Sequence, residues 1–89
     1  MVRYHMKFLG QVQGVGFRWQ VRMAAQSLRL TGWVVNNWDG SVEMEIQGDE
    51  ASIGELLRSL QEDRYIRIDE IQKESIPLDE KEGGFKVRY

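Results

Sequence analysis

An α+β fold, two helices packed on one face of a mainly antiparallel sheet of four to five strands, is what this sequence predicts. Three observations carry the prediction. Apolar residues alternate with charged ones near both ends and in the middle of the chain, two other segments carry apolar stripes at helical spacing, and the two kinds of segment interleave. At 89 residues the chain fits one compact domain, 1–89, around a single core.

Taken in order, Tyr4, Met6 and Phe8 alternate with Arg3, His5 and Lys7, the period of two expected of a half-buried first strand. After a glycine-rich stretch, Phe17, Val21, Ala24, Ala25 and Leu28 recur at spacings of three and four and form one stripe on a helix of roughly three turns, ending before Thr31-Gly32. "GWVVN" reads as the second strand and "SVEMEIQG" as the third, with Val42, Met44 and Ile46 on one face. Asn37-Trp38-Asp39-Gly40 between them has turn chemistry, which makes the pair a hairpin. Ile53, Leu56, Leu57 and Leu60 mark the second helix, with Ser52-x-x-Glu55 as a capping box. Ile68 and Ile71 lie three apart and break the alternation between Ile66 and Ile76, so the chain there either loops into a strand near Ile71 or carries a bulge. Phe85, Val87 and Tyr89 alternate with Lys86 and Arg88 in a closing strand after Gly83-Gly84. Strand, helix, strand, strand, helix, strand and a short last strand give a two-layer sandwich of ferredoxin-like topology.

Composition removes several function classes. With 42 % hydrophobic and 29 % charged residues the chain is an ordinary globular one, and disorder is excluded. It contains no cysteine, which rules out disulfides, thiolate metal sites and thiol nucleophiles and fits a reducing cytoplasm. "MVRYHMKFLG" lacks the continuous apolar run of a signal peptide or a membrane span. Residues 1–40 carry a net charge of +4 and the remainder −6, which suits a small anion near the N-terminal half. No basic run is present to neutralise the many phosphates of a nucleic acid.

"GQVQGVGFR", Gly10 to Arg18, is the stretch that asks for chemistry. Its glycines permit unusual backbone conformations and close approach of a ligand. Just before a helix, the N–H groups of Gln13, Gly14, Val15, Gly16 and Phe17 can converge on an anion; the glycines alone leave a simple tight connection equally open. The stretch is not a nucleotide loop of either common kind: no Lys-Ser/Thr pair follows, and Trp19 stands where a dinucleotide fingerprint has its third glycine. Arg18 in the first helical turn faces the positive end of the helix dipole, at a cost of roughly a few tenths of a kcal/mol that a bound anion would offset. Asn36 reads either as a turn residue capping local backbone or as a neutral amide able to aim a water molecule. His5, the single histidine, sits mid-strand and reads as structural, which removes a serine triad. Trp19, Trp33 and Trp38 read as core and rim residues. The acids of Asp79-Glu80-Lys81-Glu82 lack the spacing of a calcium loop and read as a solvated face.

At these residues the sequence resembles the acylphosphatase family. "GQVQGVGFR" is similar to the family's phosphate-cradling loop and "GWVVNNWDGSVEMEIQG", residues 32–48, to its second signature, while the closing "FKVRY" is similar to its last strand. Phe8 stands where a smaller aliphatic is usual, and Val35 where a long polar residue is usual, a change expected to alter groups around the mouth of the site. The resemblance implies that Arg18 grips a phosphate together with the amides of Gln13 to Phe17, and that Asn36 positions the attacking water. It also implies hydrolysis of acyl phosphates to carboxylate and inorganic phosphate, with no metal and no cofactor; a monomer with no nucleic-acid or membrane partner is the separate expectation for its assembly. So sparse a site suits the chemistry, because a carboxylate is already a good leaving group near neutral pH. The competing readings are a non-catalytic anion-binding or regulatory domain on the same fold, an RNA-binding module, and an acylphosphatase-like part of a larger enzyme.

Overall fold

A computed structural model describes all residues, 1–89. Seven elements follow one another: β1 (Val2–Gln11), α1 (Phe17–Ser27), β2 (Thr31–Asn36), β3 (Val42–Gly48), α2 (Glu50–Gln61), β4 (Arg67–Ser75) and β5 (Phe85–Arg88). The sheet has the order β4-β1-β3-β2-β5, and β5 alone runs parallel to its neighbour. This is the predicted ferredoxin-like α+β sandwich with a fifth strand added at the edge.

The alternation in the strands decides what each face of the sheet does. Met6 and Phe8 on β1, Val34 on β2, Val42, Met44 and Ile46 on β3 and Phe85 on β5 form one buried layer. Phe17, Val21 and Ala25 of α1 and Ile53, Leu56 and Leu60 of α2 close it from the helical side. No helix is long and apolar enough to cross a membrane.

β4 has the bulge of the two sequence alternatives. Leu9 pairs with Glu70 but Gly10 pairs with Ile68, so Asp69 is the extra residue and the strand begins at Arg67, ahead of Ile71. A single inserted residue reverses the side-chain alternation, which turns Ile68 and Ile71 to the same face, where both pack on the core. Gly10 sits opposite the bulge with φ +133°, and a β-carbon there would run into the carbonyl of Arg67.

Three local expectations are corrected. α2 starts at Glu50 with Asp49 as its N-cap, so Ser52 lies inside the helix and the Ser52–Glu55 capping box does not form. The helix begins early because Asp49 directly follows β3, and its carbonyl accepts the first helical bond, from Ile53, at 3.0 Å. None of the three tryptophans belongs to the core: Trp19 and Trp38 are exposed and Trp33 is half-buried on the open face of the sheet. Tyr89 lies beyond β5 and is almost fully exposed.

The open face is polar and tightly paired. Arg3 on β1 meets Glu45 on β3 at 2.9 Å and Glu82 at 2.6 Å. Gln47 exchanges hydrogen bonds with the main chain of Asp79, at 3.0 and 2.8 Å. These bonds tie the segment from Ile76 to Gly84 across the sheet, and Gly32 donates to the Gly84 carbonyl at 3.1 Å where β5 begins. The Asp79–Glu82 acids are therefore partly structural ties, Glu82 being half-buried.

Candidate active site

Between β1 and α1 the chain makes a short loop, Val12 to Gly16, held at each end by a buried side chain. Val12 is in the core, and Phe17 packs its ring on Phe8 with centroids 5.0 Å apart. Gln13 ties the loop sideways, its amide donating to the carbonyls of Asn37 and Ser41 at 2.6 and 2.9 Å. Gly14 and Gly16 have φ values of +73° and +81°, although a β-carbon at either would meet nothing within 4 Å. Backbone conformation, and not lack of space, is what requires glycine there.

The loop leaves its amides free. The first helical bond of α1 runs from Gln20 to the Gly16 carbonyl at 3.0 Å, and no amide from Gln13 to Trp19 donates to a main-chain carbonyl. Left-handed residues at 14 and 16 alternate with ordinary ones, the pattern in which successive N–H groups point into one concavity, and the helix dipole adds to its positive potential.

Arg18 follows directly. Its Nη1 donates to the Arg88 carbonyl at 3.2 Å, and its guanidinium lies 4.8 Å from the centroid of the Tyr89 ring. β5 thus holds the arginine from one side while leaving most of its five donors available. α1 has no acid in its first turn, so nothing within the helix neutralises this cation.

Asn36 enters from β2. It lies on the same face as Val34, at the strand's end, and so points toward the helical layer and the loop. The turn-capping role belongs to Asn37, whose amide donates to Ser41 Oγ and to Glu43, both at 2.9 Å. The Oδ1 of Asn36 is buried without any hydrogen-bond partner in the chain. Thr31 Oγ1 is the other buried polar atom left unpaired, but only Asn36 lines the cleft beside the loop.

These pieces meet in a cleft of about 240 Å³ lined by Gly14, Gly16, Arg18 and Asn36 together with Trp19, Arg22, Val87 and Tyr89. No acidic side chain lines it. Of the predicted loop residues, Gly14, Gly16 and Phe17 line the cleft, whereas Gln13 and Val15 do not; their side chains anchor the loop. Val35 points to the opposite face of the sheet from Asn36, so the departure there lies off the site and not at its mouth. Arg22, Tyr89 and the Arg88 carbonyl were not among the sequence candidates. Arg22 was accessible from its spacing, four residues after Arg18 on one helix; the other two depend on where β5 docks.

His5 is structural, as expected. Its two ring nitrogens lie 2.8 Å from Glu45 and 2.8 Å from Glu43 on the open face, away from the cleft. The hydrogen bond to Glu45 holds the imidazolium above the usual histidine range; burial opposes the shift and Glu43 adds to it.

A loop of unbonded amides, an arginine with no acid on its helix and a carboxamide, lining one cleft without an acidic side chain, make up a site suited to a small anion. Comparison with known proteins narrows that class. The chain belongs to the acylphosphatase family, whose model matches residues 4–87. It is 37 % identical to an acylphosphatase of Clostridium acetobutylicum over 100 % of this chain and 99 % of that one. An acylphosphatase of Lactobacillus johnsonii is 41 % identical over 94 % of each chain. The crystal structure of acylphosphatase from Bacillus subtilis superimposes with a TM-score of 0.90 at 31 % identity, covering 100 % of both chains.

Proposed function

We propose that this acylphosphatase hydrolyses the carboxyl–phosphate bond with Arg18 and the loop amides as the phosphate grip and Asn36 as the residue that aims the water. Acyl phosphate hydrolysis itself follows from membership of the family over nearly the whole chain. The observation that supports the assignment of roles is that Gly14, Gly16, Phe17 and Arg18, whose amides have no main-chain acceptor, line one cleft with Asn36.

In this reading, the amides from Gln13 to Phe17 and the remaining Arg18 donors hold the phosphoryl oxygens, whose charge is spread in the loose transition state. The Asn36 carboxamide accepts a hydrogen bond from the attacking water and fixes its approach. The water oxygen forms a bond to phosphorus as the bond to the acyl oxygen breaks. The carboxylate leaves with that electron pair, and the water's proton goes to a phosphate oxygen, giving carboxylate and dihydrogen phosphate. A carboxylic acid with a pKa near 4 needs no general acid to leave at neutral pH.

Every group in this scheme comes from one copy of the chain, which supports action as a monomer. The absence of cysteine supports a reducing, cytoplasmic setting. For Asn36→Ala, kcat on benzoyl phosphate is expected to fall by about 10²-fold while the competitive inhibition constant of inorganic phosphate stays within about twofold. If phosphate binding weakened in step with kcat, Asn36 would be part of the grip and the water-aiming role would be wrong.

A further inference from the structure

Asn36 reaches the cleft from one face of the sheet, and the next residue is held on the other. The amide of Asn37 donates to Ser41 Oγ and to Glu43 Oε1, both at 2.9 Å. The second carboxylate oxygen of Glu43 lies 2.8 Å from His5 Nε2, and the other ring nitrogen, Nδ1, lies 2.8 Å from Glu45. An unbroken run of contacts therefore links His5, Glu43 and Asn37, and ends one peptide unit from Asn36. The same turn is tied to β1 and to the loop: Lys7 stands 3.6 Å from Asp39, and Gln13 donates to the carbonyls of Asn37 and Ser41.

His5 is the one group in this run that changes charge near neutral pH. Glu43 and Glu45 face it from β3, Glu74 from β4 as its partner in the register, and Arg3 and Lys7 flank it on β1. From β2 the Trp33 ring meets it edge-on at 6.1 Å, and the Arg88 guanidinium of β5 lies 4.5 Å from the centroid of that ring. Lys73 of β4 turns instead to the Tyr4 ring. Charged, the imidazole donates to both carboxylates; neutral, it has one N–H and one bare nitrogen. Glu45 is also bound by Arg3 at 2.9 Å, so the remaining proton stays on that side and the bare Nε2 faces a carboxylate oxygen that it can no longer bond. Glu43 then swings away, and its hold on Asn37 loosens.

We infer that Glu43 is a positioning residue for the reaction, holding Asn37 on the open face so that the Asn36 carboxamide keeps its aim in the cleft, with His5 setting how firmly it holds. The inference rests on the proposed role of Asn36 in aiming the water. None of His5, Asn37 and Glu43 lines the cleft, so they act on the water's approach and leave phosphate binding alone. Misplacement by about 1 Å can cost about 10²-fold in rate, and a loosened turn is expected to cost about 3- to 10-fold in kcat.

The test follows kcat and KM for benzoyl phosphate from about pH 6 to about pH 9, with thermal melts of each sample. In the parent, kcat is expected to fall by about 3- to 10-fold as pH rises through the folded pKa of His5, with KM constant within about twofold. His5→Gln removes this fall. Glu43→Gln restores the alkaline kcat, because its carbonyl still accepts from Asn37 while its amide donates to the neutral imidazole. Glu43→Ala lowers kcat by about 3- to 10-fold even on the acid side, with KM unchanged. An alkaline fall that persists in His5→Gln, or a folded Glu43→Ala protein with the parent's kcat, overturns the inference. If Glu43→Ala does not fold, Glu43→Gln decides, and an alkaline fall as large as the parent's overturns the inference there too. In Asn36→Ala the fall is expected to vanish. A fall of full size on a kcat already lowered overturns the inference and leaves the role of Asn36 standing, whereas an undiminished kcat in Asn36→Ala refutes the water-aiming role itself.

Discussion

Replacing Arg18 separates what this residue does for the reaction from what it does for the fold. Arg18→Ala deletes one exposed hydrogen bond to the Arg88 carbonyl, worth about 1 kcal/mol at most, and the stacking on Tyr89, worth about 0.5–1 kcal/mol. Against this stand roughly a few tenths of a kcal/mol each from relief of the helix dipole and of the repulsion with Arg22. The net loss of stability is therefore about 1 kcal/mol, or a fall in Tm of roughly 4–8 °C for a domain of this size. Loss of a charged donor acting on the transition state is larger: a fall of about 10²-fold in kcat/KM is about 2.7 kcal/mol. Continuous ultraviolet assay of benzoyl phosphate hydrolysis in excess chelator, with a thermal melt of the same samples, measures both numbers. Arg18→Lys keeps the charge but loses the planar fork and is expected to remain within about threefold of the alanine variant. Near-normal turnover by the lysine variant would refute the argument, since a point charge would then suffice where a directed set of donors has been inferred.

Other expectations concern the glycines and the open face. Gly16→Ala forces a side chain into φ +81°, so it should cost about 1 kcal/mol of stability and weaken phosphate inhibition; Gly54→Ala, in the exposed interior of α2, should raise stability by about 0.5–1 kcal/mol, both read from urea titrations. The contrast fails if the two substitutions shift the midpoint in the same direction. His5 has a raised pKa in the folded chain, so its contribution is fully present below the unfolded value near 6.5 and is lost as pH rises through the folded pKa. Glu45 works in the opposite sense: burial pushes its carboxyl up, but the bonds from His5 and Arg3 outweigh this and hold it low, so its contribution is lost as pH falls through the folded value. The parent should therefore lose stability on the alkaline side of about pH 6.5, and His5→Gln should flatten that limb in melts taken across pH.

Much of the molecule was legible without coordinates because its local signals agree. The alternation at Met6 and Phe8 and at Val42, Met44 and Ile46, and the stripe at Phe17, Val21 and Ala25, each name a buried face, and all of these faces meet in one core. The loop was legible for a related reason: two glycines separated by one residue, directly before a helix, carry their conformation in the sequence. Ile68 and Ile71 were ambiguous because a bulge and a loop disturb a period of two in the same way, and only the register against Leu9 and Gly10 separates them. The Ser52 capping box failed because α2 starts at Glu50, with Asp49 as its N-cap at the end of β3, so Ser52 is already inside the helix.

By itself, then, the sequence determined the layers, the loop and the identity of Arg18 and Asn36 as candidates, since periodicity, backbone preference and the resemblance to a family all reside in neighbouring residues. Tertiary structure decided everything that depends on docking. How the Arg88 carbonyl and Tyr89 hold Arg18, and how Val87 comes to line the same cleft, follow from β5 packing parallel to β2 at the sheet edge. That pairing joins residues more than fifty positions apart, and no local preference encodes such a distance.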